Sequence, residues 1–218
     1  MILTDGKTTL DYFDRIPTDI PRIGLSLSGG LDSALILYCL AKTLHDRGQT
    51  ETEIFTYHNK WLRYKKLNSL EAATNVLEYV RKKFPDITIH DPLVAVMSER
   101  RTNKFFHSIV QILKIRFKYK IRWWIVGLNL TDYQNLDFKD YFHRFVERML
   151  THILPNSHPF GWVDKKFIAA QYHNLDIMDL SMITNSCTAD NPGGMPCKTC
   201  HWCKSRHEAF GCYDYGFK

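Results

Sequence analysis

Ser28-Gly29-Gly30-Leu31-Asp32-Ser33 lies between an apolar run, Ile23-Gly-Leu-Ser-Leu27, and a long stretch of helix formers. Two adjacent glycines let a backbone turn tightly and approach a ligand with no Cβ in the way. A helix that starts at such a turn offers N–H groups without helical partners and the positive end of its dipole. Ser28 and Ser33 add hydroxyl donors. Together these groups suit a phosphate or a pyrophosphate. Asp32 has the wrong sign to be a phosphate ligand, so a role through Mg²⁺ or as a helix cap is expected of it. A structural turn would account for two glycines alone. The whole six-residue string between a strand and a helix favours phosphate binding.

The second constellation is Cys187, Cys197, Cys200 and Cys203. Two-residue gaps let neighbouring thiolates turn onto one ion. Four soft ligands suit tetrahedral zinc and also iron–sulfur clusters. Pro192-Gly193-Gly194 and Pro196 supply the turns that the gap from Cys187 to Cys197 requires. His201, His207 and Cys212 are spare donors nearby, and His207 is expected to be solvated because four cysteines already complete a site. Two other strings fail as motifs. Gly6-Lys7-Thr8 would end a Walker A loop, but Met1 stands where that motif has its first glycine. Gly24-Leu-Ser26-Leu-Ser28 lacks the last glycine of a nucleophile elbow.

These groups need elements to hold them. Ile23–Leu27 reads as a buried strand, and Asp32–Arg47 as a helix stopped by Gly48. Ala34 to Ala41 is apolar on every face, which predicts a helix buried on most sides. Glu53–Tyr57 reads as a second strand. Ser69 is expected to cap a helix to Phe84 whose inner face is Leu70, Ala73, Leu77, Val80 and Phe84. Asp86–His90 reads as a third strand. Phe106, Ile109, Val110, Leu113 and Phe117 mark the next helix face, and Arg122–Gly127 the next strand. Phe138, Phe142, Phe145 and Met149 mark another helix, and a last one is expected from Asp164 to His173. Strands alternating with helices predict an α/β fold: a doubly wound parallel sheet covered on both faces. Ligands in such sheets bind beyond the carboxyl ends of the strands, where Ser28–Ser33 falls. Residues 1–184 are expected to form the α/β domain that carries the phosphate-binding loop, and 185–218 a small, turn-rich, Cys-rich metal-binding lobe.

Composition narrows the class. A chain of 218 residues with 44% hydrophobic and 24% charged residues is ordinary for a globular protein and excludes a disordered or collagen-like one. The net charge of +6 favours anionic partners without specifying them. Eight Lys/Arg against one Glu between Ser98 and Arg122, interleaved with aromatics, would permit RNA contact. The solvated face of an amphipathic helix is the expected reading, so nucleic acid is not the favoured partner. Trp123 and Trp124 are expected in the core. No apolar stretch reaches the length of a membrane span, and no signal peptide is visible, so a cytoplasmic protein without membrane contact is expected.

Taken together, the two motifs resemble the 7-cyano-7-deazaguanine synthase (QueC, or preQ0 synthase) family of PP-loop ATP pyrophosphatases. The resemblance runs roughly from Arg22 to Phe210. It is carried by the Ser28–Ser33 string, by Thr184-Asn-Ser186-Cys187, by Pro196-Cys197-x2-Cys200-x2-Cys203, and by Arg206 with Ala209-Phe210. Val126-Gly127-Leu-Asn129 with Asp132-Tyr133, and Pro159 followed by Lys165, fit as well. The resemblance implies a five-stranded parallel sheet, a four-cysteine Zn²⁺ site and a homodimer. It implies ATP-dependent conversion of 7-carboxy-7-deazaguanine and ammonia to the nitrile. Asp32 and Lys165 would then be catalytic, and Ser28, Gly29, Gly30, Leu31, Asp32 and Ser33 would hold ATP. Asn129, Asp132 and Arg206 would touch the base. Three stretches depart from the family: Tyr57-His58-Asn59 stands for Tyr-Gly-Gln, Thr102 separates Arg101 from Asn103, and Leu136-Asp137-Phe138 replaces Tyr-Pro-Asp. All three are expected around the base pocket. Two rival readings follow: a PP-loop tRNA-modifying enzyme with an iron–sulfur cluster, and a QueC-like protein with another acceptor or with binding alone.

Overall fold

The computed structural model describes residues 1–61, 67–97, 104–127, 129, 156–189, 191 and 195–215. A short antiparallel pair, β1 (Leu3–Thr4) and β2 (Thr9–Leu10), is followed by the strands β3 (Arg22–Ser26), β4 (Glu53–Trp61), β5 (Leu93–Met97), β6 (Trp123–Val126) and β7 (Asn156–Ser157). The helices are α1 (Leu31–Asp46), α2 (Leu67–Lys83), α3 (Lys104–Tyr119), α4 (Lys165–Asn174), α5 (Met178–Met182) and α6 (His201–Phe210). Among the described residues the main sheet has the order β5-β4-β3-β6-β7, and every pairing in it is parallel.

Alternation along the strands builds two cores. Ile23, Leu25, Ile54 and Ile125 turn to the face covered by α1, α2 and α4. Phe55, Tyr57 and Trp124 turn to the other face, against Ile112, Ile115 and Tyr119 of α3. Gly24 makes room for this second core, because a Cβ there would run into the indole of Trp124. Trp124 is fully buried, and its Nε1 donates to Ser26 Oγ at 3.0 Å. Helix α1 is buried continuously from Leu31 to Ala41, which includes the apolar run Ala34–Ala41 expected to be buried on most sides. Gly48, at φ +64°, ends it. Its N–H bonds to His45 O and that of Gln49 to Leu44 O, which satisfies the last carbonyls.

Several expected elements are displaced. The third strand is not at Asp86–His90 but at Leu93–Met97. Residues 86–90 pair with β4 by a single backbone bridge, Ile54–Ile89, and by side-chain contacts of His90 with Glu53 and Phe55, and Pro92, which has no N–H to give, separates the two segments. Helix α2 starts at Leu67, so Ser69 lies inside its first turn instead of capping it. Phe117 is 78% exposed, so the inner face of α3 is Ile112, Ile115 and Tyr119. Arg116 is not on a solvated face either. It is buried and donates to Arg122 O at 2.9 Å. The side chains of Phe106 and Ile109, and the expected helix from Phe138 to Met149, lie outside the described residues. No helix among the described residues is long and apolar enough to cross a membrane.

Candidate nucleotide site and cysteine cluster

The chain runs from β3 out to β4 and β5 on one side, then returns to place β6 on the other side of β3. The strand order therefore reverses between β3 and β6. Such a switch point leaves a crevice at the carboxyl ends of the strands, where doubly wound folds bind ligands. A cavity of about 310 Å³ lies there. Its walls are the strand ends Ser26, Val126 and Gly127, the loop residues Ser28, Gly30, Leu31 and Asp32, and Ser69 of α2 and Lys165 of α4. Asn185, Ser186, Cys187, Thr188 and Trp202 close it from the C-terminal side.

Close backbone and hydroxyl contacts define the loop's shape. Gly29 has φ +82°, and a Cβ there would stand 2.5 Å from Ser69 O and 2.9 Å from Ala73 N. Ser33 Oγ donates to Gly30 O at 3.1 Å, lies 3.0 Å from Ser28 Oγ and accepts from Ser28 N at 3.2 Å. Gly30 is the N-cap of helix α1, and its lack of a side chain leaves no capping acceptor for the first turn. Gly127 lets β6 approach this start, since a Cβ there would lie 3.0 Å from Ser33 N.

Asp32 is 8% exposed and does not cap the helix. Lys165 Nζ donates to its Oδ1 at 2.8 Å and its Oδ2 at 2.6 Å, and Asn129 Nδ2 donates to Oδ2 at 2.9 Å. Asn129 is fully buried and Lys165 is 6% exposed. A bare lysine at a helix start would ordinarily be solvated, and the partner that buries this one is 133 residues away in sequence. Helix α4 sets Lys165 in place: Asp164 caps it by accepting from Phe167 N at 2.9 Å, and Tyr172 Oη donates to Leu31 O at 2.8 Å. Because Lys165 balances Asp32, the uncompensated field at the loop is that of the N–H groups and the helix dipole, which favours an anion.

The structure corrects other expectations. Arg206 does not face the cavity. It is fully buried, and it binds the Asp214 carboxylate, Thr184 Oγ1 at 2.8 Å and Ser181 O at 2.8 Å. Tyr57, His58 and Asn59 do not line the cavity. Tyr57 is buried against Trp124, Asn59 Nδ2 donates to Ser108 Oγ at 2.9 Å, and His58 Nδ1 meets Leu27 O at 2.9 Å. A carbonyl only accepts, so that ring nitrogen carries the proton. Asp132, with Tyr133, Arg101, Asn103 and Leu136-Asp137-Phe138, lies outside the described residues, as does Pro192-Gly193-Gly194. Trp162 is 79% exposed and away from the cavity.

The four cysteines come together: one ligand atom from each of Cys187, Cys197, Cys200 and Cys203 lies within 4.8 Å of every other. Amide donors are aimed at the sulfurs. Cys197 N donates to Cys187 Sγ at 3.3 Å, Cys200 N to Cys197 Sγ at 3.3 Å, and Cys203 N to Cys200 Sγ at 3.4 Å. The last of these caps α6, so Cys200 sits at a positive helix end. The Thr199 hydroxyl, with the N–H of Cys200, holds the Cys197 thiol down at about 6. Burial pushes the thiols of Cys187 and Cys203 up. Such a mixed set of thiols becomes four thiolates only when a cation replaces the protons, so the donor set fits a metal ion. His207 stacks on Tyr213 with ring centroids 4.6 Å apart and takes no part in the cluster.

Asp214, which the sequence reading did not single out, is the buried partner of the Ser186-Cys187 segment. It is 6% exposed and accepts from Ser186 N and from Cys187 N, the latter at 2.8 Å. A single Asp beyond a cysteine cluster carries no spacing signal.

The fold and site define a doubly wound α/β protein with a phosphate-type loop at the switch point and a four-cysteine cluster beside it. A family model described as "Queuosine biosynthesis protein QueC" matches residues 94–214, which include Lys165, the four cysteines and Asp214. The chain belongs to the QueC family. The Ser28–Ser33 loop precedes the matched residues. No curated protein matches the chain significantly. Among solved structures, NMN synthetase from Francisella tularensis is similar in fold, with a TM-score of 0.50 at 9% identity over 88% of this chain and 78% of that one. The U34-tRNA thiolase NcsA from Methanococcus maripaludis with its [4Fe-4S] cluster scores 0.49 at 12% identity, over 94% and 86% of the two chains. The NH3-dependent NAD synthetase from Campylobacter jejuni scores 0.48 at 16% identity, over 75% and 67%.

Proposed function

We propose that the protein converts 7-carboxy-7-deazaguanine and ammonia to 7-cyano-7-deazaguanine at the expense of ATP. Family membership supports the reaction class. The observation that carries the reading is one cavity walled by the phosphate loop on one side and the cysteine segment on the other. A carboxylate resists ammonia because its leaving group would be oxide. Attack of a carboxylate oxygen on the α-phosphorus of ATP expels pyrophosphate and leaves an acyl adenylate. Ammonia displaces AMP from it to give the amide. The amide oxygen then attacks a second ATP in the same way, and loss of AMP and protons leaves the nitrile.

In this reading the chain's own residues position and neutralise. Ser28, Gly29, Gly30, Leu31 and Ser33 hold the β- and γ-phosphates with hydroxyls and N–H groups. Asp32 keeps Lys165 at the edge of the loop, where its ammonium meets the charge that develops on the departing pyrophosphate. A Mg²⁺ on the phosphates would have to share Asp32 with Lys165 and Asn129. Catalysis of such a reaction is orientation and charge stabilisation. Trp202 offers a flat apolar face to a bicyclic base.

The metal in this proposal is Zn²⁺. Four thiolates at ~2.3 Å from one ion stand ~3.8 Å apart. Cys197 Sγ and Cys203 Sγ are 3.9 Å apart. A four-iron cluster binds each thiolate to a different iron and needs a wider frame. Zn²⁺ would close the site and tie residues 185–218 over the nucleotide layer formed by 1–184. The test incubates purified protein with ATP, ammonia and 7-carboxy-7-deazaguanine and follows products by mass spectrometry. The amide is expected first and the nitrile later. Consumption of ATP with tRNA but none with this acid would replace the reading by a tRNA-modifying one.

A further inference from the structure

Thr184 to Thr188 belongs to both sites at once. Asn185 N donates to Gly29 O at 2.8 Å, which fastens this segment to the phosphate loop. Asn185, Ser186, Cys187 and Thr188 form one cavity wall. Cys187 also gives its sulfur to the cysteine cluster. Only Ser186 therefore separates the loop contact from the metal ligand, too little chain for slack.

The segment is held from behind by a buried ion pair. Asp214 accepts from Ser186 N at 3.0 Å and from Cys187 N at 2.8 Å, and it is itself bound by Arg206, which reaches Thr184 Oγ1 and Ser181 O. The pair is buried, with side-chain exposures of 0% and 1%. Breaking such a pair is costly, so the segment has one favoured position. Arg206 lies in α6, three residues beyond Cys203, so the brace and the cluster share one helix.

We propose that Asp214, braced by Arg206, is a positioning residue that couples the two sites: metal held by the cysteines fixes Asn185 against Gly29, and this tightens nucleotide binding. Linkage makes the effect reciprocal, so bound nucleotide tightens metal binding by the same factor. The inference rests on the nucleotide reading of the Ser28–Ser33 loop. Couplings of this kind span ~5–150-fold, and about tenfold is expected here.

The test is a thermodynamic cycle with Zn²⁺ and the non-hydrolysable α,β-methylene-ATP. Calorimetry gives the analogue's affinity for metal-loaded and metal-stripped protein, with far-ultraviolet circular dichroism showing that the stripped α/β layer stays folded. Competition with a chromophoric chelator gives zinc affinity with and without the analogue. The expected result is the same factor, about tenfold, on both sides of the cycle. Asp214→Asn keeps the shape, should still take one zinc per chain, and should bring the factor close to one. A merely structural role would lower both affinities and leave the factor alone. A factor of one in the wild-type protein overturns the coupling even if Asp214→Asn fails to fold, and an unchanged factor in a folded Asp214→Asn removes Asp214 from it; agreement between the two sides of the cycle checks the measurement. If the metal-loaded protein does not bind the analogue at all, the nucleotide reading of the loop fails first, which separates the two failures.

Discussion

Gly29 and Lys165 show how closely the loop is specified at the level of single residues. Gly29 combines a positive φ with backbone atoms of α2 where a Cβ would stand. Gly29→Ala should therefore cost about 1–3 kcal/mol, since strain of this kind has that size, and the denaturant midpoint measures it. The loop should lose nucleotide affinity as well, because α2 must retreat. Lys165→Ala should cost about 3–5 kcal/mol by stranding a buried carboxylate. The double variant Asp32→Asn with Lys165→Met should recover most of that stability and none of the ATP turnover. Full turnover in the double variant would remove both residues from the chemistry. The loop glycines and serines were legible because each has a local reason to be there. The Asp32–Lys165 pair was only half legible. Sequence spacing does not announce that a lysine at the start of α4 will meet a carboxylate at the start of α1. Family resemblance assigns Arg206 to the substrate, and its buried partner Asp214 shows it bracing the C-terminal segment instead.

At the scale of elements, strong local chemistry was readable and weak chemistry was not. Helix α4 starts where Asp164 caps it. Asp164→Ala should remove about 1 kcal/mol by the usual loss of a capped N–H, read as a lower thermal midpoint with the fold intact. It should also lower turnover, since the first residue of the helix it caps is Lys165. Helix α1 and the strand at Trp123–Val126 were legible from their apolar runs. Helix α6 was hidden, because its buried face is Cys203, Ser205 and Arg206. A metal ligand, a small polar residue and an ion-paired guanidinium give no apolar period. The shift of the third strand to Leu93–Met97 turned on Pro92, which separates the alternating Asp86–His90 from the wholly apolar Leu93–Met97. Phe117 was assigned to an inner face by spacing, but the packed stripe of α3 is Ile112, Ile115 and Tyr119, on the other side of the turn.

For the whole molecule, the sheet's reversal between β3 and β6 makes the crevice, and the C-terminal segment covers it. Elemental analysis of freshly purified protein should find one zinc per chain and no sulfide. Stripping it with a chelator should raise hydrogen exchange across residues 195–210 while the amides of α1 stay protected, because metal binding and local folding are linked. Uniform exchange over both regions would mean that the cluster supports the entire fold. The most direct test of the whole account follows phosphorus. With 7-carboxy-7-deazaguanine, ammonia and ATP, ³¹P spectra should show AMP and pyrophosphate rising equally, with two of each per nitrile formed and none without the acid. Release of ADP and phosphate, or AMP formation indifferent to the acid, would contradict it.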